Sequence, residues 1–191
     1  FVPADILSLP ISEAQIDVWE LEAADGGSLG SQNWSSGIRS LGPKKIVGDL
    51  IMSGTAELVV TGILWVTGEI KLSNTSKIRL DAGYGSSSGV VMAGIDESTT
   101  AGYIEIANSA QALGSGSLGS YIMFLSQKEG TGSDAIKTSN SSAAAILYAG
   151  EGQIEISNSA ALKEITAYKL EINNSATVTY ESGLANNNFL S

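Results

Sequence analysis

The sequence predicts an all-β chain built as a single-stranded parallel β-helix, a β-solenoid of about six three-strand coils with an N-terminal capping α-helix. Three observations predict it. A nine-residue unit recurs six times, apolar and polar residues alternate within that unit, and the composition is rich in glycine (22) and poor in proline (3), which suits tight turns between short strands.

The copies begin at Leu50, Ile70, Ile104, Ile136, Ile154 and Leu170 and read LIMSGTAEL, IKLSNTSKI, IEIANSAQA, IKTSNSSAA, IEISNSAAL and LEINNSATV. Positions one and three are mostly Ile or Leu, whereas position two is Ile51, Lys71, Glu105, Lys137, Glu155 and Glu171. That period of two places the first and third residues inward and the second outward. Position five is Gly54, Asn74, Asn108, Asn140, Asn158 and Asn174, the residue types that enter the left-handed backbone region at least cost, so it marks a corner ladder. Position six is always a hydroxyl (Thr55, Thr75, Ser109, Ser141, Ser159 and Ser175), able to bond backbone groups that a turn leaves unpaired.

A third apolar segment follows most copies, at 63–66, 90–92, 121–125, 146–148 and 165–168. Insertions at 81–88, 95–102, 114–120 and 127–134 account for the uneven spacing and are expected to be corner loops. Residues 1–40 form an N-terminal segment in which Ser12 and Gln15 match a capping box, predicting a helix over 13–24 with Ile16, Trp19 and Ala23 on one face. The helix is expected to cover an end of the coil stack, which occupies 41–183, and 184–191 is read as a tail.

Composition removes several function classes. Twenty acidic against ten basic residues leave a net charge of −10, which repels phosphate backbones and offers no counterion release, so no nucleic acid is expected as a partner. The chain has no histidine and no cysteine, which excludes Ser-His-Asp and Cys-His nucleophiles and imidazole or thiolate zinc sites. No apolar run reaches bilayer-spanning length, so no membrane span is expected within this chain.

Carboxylate chemistry of the polysaccharide lyase or glycosidase kind is the enzymatic alternative that survives. The column Lys71, Glu105, Lys137, Glu155 and Glu171 is read instead as cross-strand charge pairing, and no catalytic residue is assigned. The run Gly114-Ser115-Gly116-Ser117-Leu118-Gly119 has dinucleotide-fingerprint spacing but leads into a strand pattern, so it is read as a loop and no cofactor is expected. Calcium is the one ion considered, at the loop acids Asp96, Glu97 and Asp134, where solvated side chains are the plainer reading. Tyr84, Asp96, Glu97 and Tyr121 are the candidate partner-contact residues, because the loops around Tyr84 and Tyr121 could frame a groove.

At IKLSNTSKIRL and IEISNSAALKEITAYKLEINNSATVTYESGL the chain resembles uncharacterised bacterial β-solenoid surface proteins, some linked to prepilin-like or pilus-assembly-type N-terminal segments. The stretch LPISEAQIDVWELEAADGG is similar to the region before their repeats. The resemblance implies export and an extracellular or cell-surface location. The expected role is a non-enzymatic structural or adhesive module, pilus-associated, with a surface protein or polysaccharide as partner. The alternatives are a self-assembling filament, pilus subunit or bactofilin-like polymer associating end to end, and a carbohydrate-binding or polysaccharide-degrading protein.

Overall fold

The computed structural model describes residues 9–140, 146–179 and 189. The helix α1 (Glu13–Asp25) comes first, followed by β1 (Ser28–Trp34), β2 (Ile38–Leu41), β3 (Lys44–Met52), β4 (Glu57–Val60), β5 (Leu64–Val66), β6 (Ile70–Leu72) and β7 (Lys77–Leu80). After a turn of 3-10 helix at Ala82–Tyr84 come β8 (Gly89–Ser98), β9 (Ile104–Ile106), β10 (Gln111–Leu113), β11 (Ile122–Lys128) and β12 (Gly130–Thr138). The last strands are β13 (Ile146–Ile156), β14 (Ala161–Leu162), β15 (Glu164–Ile172) and β16 (Thr177–Val178). The expected tail at 184–191 lies outside the described residues except for Phe189, which packs against the core and meets the Trp19 ring edge-on at 6.2 Å.

Every named strand pairing is parallel. Successive copies of the nine-residue unit pair in register: Leu50 with Ile70, Ile70 with Ile104, Ile104 with Ile136, Ile136 with Ile154, and Ile154 with Leu170. The inward residues Leu50, Ile70, Leu72, Ile104, Ile106, Ile136, Ile154 and Ile156 are all fully buried. Burial of each such side chain stabilises the fold by about 1.5–3 kcal/mol.

The pairing also corrects the expected fold class. Hydrogen bonding joins β3, β5, β8, β11, β13, β12, β9 and β6 in that order, and β6 pairs back to β3, so eight parallel strands close into a barrel. Closure depends on the two long strands. The first half of β3 bonds β5 (Lys44 to Leu64) and its second half bonds β6 (Leu50 to Ile70), while β13 joins β11 at Ile146 and β12 at Ile154 in the same way. A β-solenoid, or single-stranded parallel β-helix, keeps its faces as separate sheets along an open rod. Here two of those faces are one continuous ring, so the chain is not the β-solenoid repeat protein that the sequence suggests.

The physical reason lies in the corner inside β3, where glycine lets the backbone turn while the strand runs on. Gly48 takes φ 110° in β3, and a Cβ there would strike the Ser31 side chain. Gly68 and Gly102 stack on it, Gly68 N–H donating to the Gly48 carbonyl at 3.0 Å and Gly102 N–H to the Gly68 carbonyl at 3.1 Å. A separate parallel sheet, β10-β7-β4-β2, covers another side, and β14 pairs with β16.

The helix forms as expected but sits elsewhere. Ser12 caps it, its side chain accepting from Gln15 N–H at 3.3 Å, and Ile16, Trp19 and Ala23 are buried. Instead of covering an end, the helix segment runs across the strands. Tyr148 of β13 donates its hydroxyl to the Ile11 carbonyl at 3.0 Å, Gln127 of β11 donates to Glu20 at 2.7 Å, and Lys44 of β3 donates to the Gly26 carbonyl. This explains why β5, β8, β11 and β13 open with continuous buried runs (LWV, VVMA, IMFL and ILYA) rather than alternation: the barrel core lies on one side and α1 on the other.

Candidate functional site

Two places bring chemistry together, a polar strip on the outer face of β6, β9, β12, β13 and β15, and a cleft beside α1. The strip has two columns, because outward residues recur every second position. One is the expected position-two column, with Lys71, Glu105, Lys137, Glu155 and Glu171 in register. The other lies two residues earlier and contains Glu69, Tyr103, Gln153 and Lys169. In β12 the register shifts between Asp134 and Ile136, so Ala135 is an extra residue that tucks fully inside while Asp134 pairs with Gln153. A β-bulge of this kind re-aims a side chain, and here it sets Asp134 in the outer strip.

The groups in the strip hold one another. Lys137 Nζ meets Glu155 Oε2 at 2.8 Å, and Lys71 Nζ meets Glu69 Oε2 at 2.5 Å rather than pairing with Glu105. Gln153 is a hub: its Nε2 donates to Asp134 Oδ1 and to Glu171 Oε2, both at 2.8 Å, and its Oε1 accepts from Lys169 Nζ at 3.0 Å. Lys128, only 7% exposed, donates from Nζ to the Asp134 carbonyl at 2.9 Å and lies 5.6 Å from the Tyr103 ring centroid, as does Lys71 Nζ.

Charge follows from these contacts. The hydrogen bond from Lys137, more than any other cause, holds the Glu155 carboxyl below its ordinary range, and the same bond raises Lys137. Burial raises the Asp134 carboxyl, with the Glu155 charge adding to it. Burial also holds the Tyr103 hydroxyl well above the ordinary phenol range, reinforced by Glu105, Asp134, Glu69 and Glu155. The strip thus interleaves acids, ammonium groups and an amide, each shifting its neighbours.

The cleft beside α1 has a volume of about 510 Å³ and is lined by Asp17, Glu20, Leu21, Ala24, Lys45 and Trp65. Trp65 donates its indole N–H to the Gly94 carbonyl at 2.9 Å, and Lys45 Nζ lies 3.6 Å from the centroid of its ring. Burial raises the Glu20 carboxyl, an effect that the bond from Gln127 opposes. An aromatic floor with carboxylates, an ammonium and the exposed Leu21 at its rim can contact sugars or peptide side chains.

The residues singled out in the sequence take structural places. Gly54, Asn74, Asn108, Asn140, Asn158 and Asn174 all have positive φ, between 50° and 62°. Their side chains bond in series, Asn108 to Asn74 at 3.5 Å, and Asn174 to Asn158 and Asn158 to Asn140 at 3.1 Å. The Thr75 hydroxyl donates to the Gly54 carbonyl at 2.9 Å, and Ser141 lies outside the described residues. Tyr84 is buried in the short 3-10 turn, and its burial pushes the hydroxyl up to about 12. Tyr121 is partly buried against the core. Asp96 and Glu97 belong to β8 and Asp134 to β12, so the residues expected in loops lie on strands; the Asp96 side chain is exposed.

Sequence reading missed Tyr103, Lys128, Gln153 and the cleft. The alternation extended one step back from each unit would have found the column of Glu69, Tyr103, Gln153 and Lys169, whereas the bulge and Lys128 carry no comparable signal. Among the described residues, no group of three or more His, Cys, Asp or Glu residues is placed to hold a metal ion, and no helix is long and apolar enough to cross a membrane. The class defined by these features is a mostly β protein with one N-terminal helix and a closed, parallel eight-strand barrel. No protein-family model, curated protein or solved structure matches the chain.

Proposed function

We propose that this protein is a non-enzymatic structural and adhesive module of the cell surface or extracellular space, associated with a pilus, that holds a polysaccharide or surface-protein partner. The observation that carries the reading is the state of the outer strip: Lys137 pairs with Glu155 across strands, Lys71 pairs with Glu69 two residues before it, and Gln153 hydrogen-bonds Asp134 and Lys169 and Glu171 on the strands to either side. Carboxylates used in this way stiffen a scaffold, and catalysis by them would require breaking the ladder first.

The adhesive part of the reading rests on the cleft, where Trp65, Asp17, Glu20 and Lys45 gather outside the barrel core. The surface location rests on the resemblance at the nine-residue units. A polysaccharide panel tests both activities at once. Binding without cleavage, reduced by Asp17→Asn with Glu20→Gln, is the expected result, and release of oligosaccharides by the purified chain would overturn the reading. Surface exposure is checked by protease shaving of intact cells, where full protection of the native protein would count against it.

A further inference from the structure

β15 differs from the strands before it. Among the described residues it pairs with β13 alone, and no described strand lies on its far edge. Its core column is also uncovered: Leu170 is 43% and Ile172 52% exposed, whereas their register partners Ile154 and Ile156 are both at 0%. Tyr168 in β15 and Val178 in β16 are also exposed, at 74% and 38%.

The opposite end exposes Ile38 at 67% but seals its last core aromatic. Both edge strands carry a register shift, β1 between Gly30 and Gln32 and β15 opposite Ala149 to Gln153, but at the β1 end the Arg39 guanidinium lies 4.6 Å from the centroid of the Trp34 ring, which is 6% exposed. A charge over the last core aromatic discourages strand addition.

The sequence of β15 selects its occupant, because Leu170 is flanked by Lys169 and Glu171. In an antiparallel pair centred on Leu170, Lys169 of each copy faces Glu171 of the other, and the two Leu170 side chains meet at the axis. Residues directly opposite share a face, so the charges pair on one face and the leucines on the other. A centre one residue away in either direction would oppose Lys169 to itself or Glu171 to itself, which singles out one register.

We infer that β15 is a dimerisation surface: two copies of this protein join edge to edge, antiparallel, with Leu170 on the two-fold axis and reciprocal Lys169 to Glu171 pairs on either side. The contact is isologous and uses up both open edges, so it closes at two copies. It does not depend on what the cleft binds.

Sedimentation of the full chain over a concentration series is expected to show a monomer giving way to a dimer. The chain has no cysteine, so Leu170→Cys supplies a single thiol and is expected to oxidise to a disulfide-linked dimer, while Ile38→Cys at the β1 end stays monomeric. Glu171→Lys sets like charges opposite one another and should weaken association by about tenfold or more. Lys169→Glu combined with Glu171→Lys should restore it, and circular dichroism verifies that each variant is folded. The inference is overturned if the unaltered chain stays monomeric throughout, if Ile38→Cys crosslinks instead, if Glu171→Lys associates undiminished, or if the folded double variant fails to regain association.

Discussion

The two ends of the barrel solve the same problem differently. At the β1 end Trp34 closes the column that reaches Ile172, with Arg39 over it, and Gln32 closes the column that reaches Leu170; at the β15 end Leu170 and Ile172 stay half exposed. The difference teaches that a continuous core column does not carry equal energy along its length. Where a strand lies on each side, a side chain is sealed; where one is missing, the same residue type contributes a fraction of its burial.

The largest expected effect therefore comes from comparing one column at two depths. Ile154→Ala, at a fully buried site, should cost about 2–5 kcal/mol in denaturant unfolding. Leu170→Ala, one strand further along, should cost about 1 kcal/mol or less at dilutions where the chain is monomeric. Equal losses would mean that β15 is covered in solution.

Next in size is the glycine corner. A Cβ on Gly68 would collide with the Gly48 backbone and the Asp49 carboxylate, so Gly68→Ala is expected to destabilise by about 1–3 kcal/mol, read as a lower melting temperature. Stability unchanged by this substitution would remove the close-packed corner from the account.

Acid titration gives a smaller effect with a definite sign. The Glu155 carboxyl is lowered, so its contribution is present above the ordinary carboxylate range and is lost as pH falls through its depressed folded value. The Asp134 carboxyl is raised, so its contribution runs the other way: it is present at acid pH and is lost as pH rises through its elevated folded value. The two partly offset each other. Asp134→Asn should therefore steepen the acid loss of stability, and Glu155→Gln should flatten it, in unfolding curves taken from neutral pH down through and below the ordinary carboxylate range.

The smallest effect is expected at the sealed end. Arg39→Ala removes the cation from the Trp34 ring and should cost less than about 1 kcal/mol, with a red shift in tryptophan emission as the ring meets water. With both ends then open, sedimentation should reveal species larger than the dimer.

What the sequence made legible was local. The inward pair, the asparagine corner and the buried face Ile16, Trp19 and Ala23 all follow from periods of two and 3.6 and from the steric ease of asparagine at positive φ. Barrel closure was not legible, because it turns on whether hydrogen bonding continues through Gly48 and across β13 from one face to the next, which spacing does not record. The place of α1 was legible in principle. Runs such as IMFL at 122–125 lack alternation, and a strand apolar on both faces needs cover on both. Asp134 entered the outer strip through the bulge at Ala135, which no residue pattern announces.

Amide hydrogen exchange on the chain at low and high concentration tests the inequality of the two ends most directly. The account predicts that the β15 amides not bonded to β13 slow as concentration rises while the β1 edge amides keep their rates. Slowing at β1 in place of β15, or no change at either edge, would contradict it.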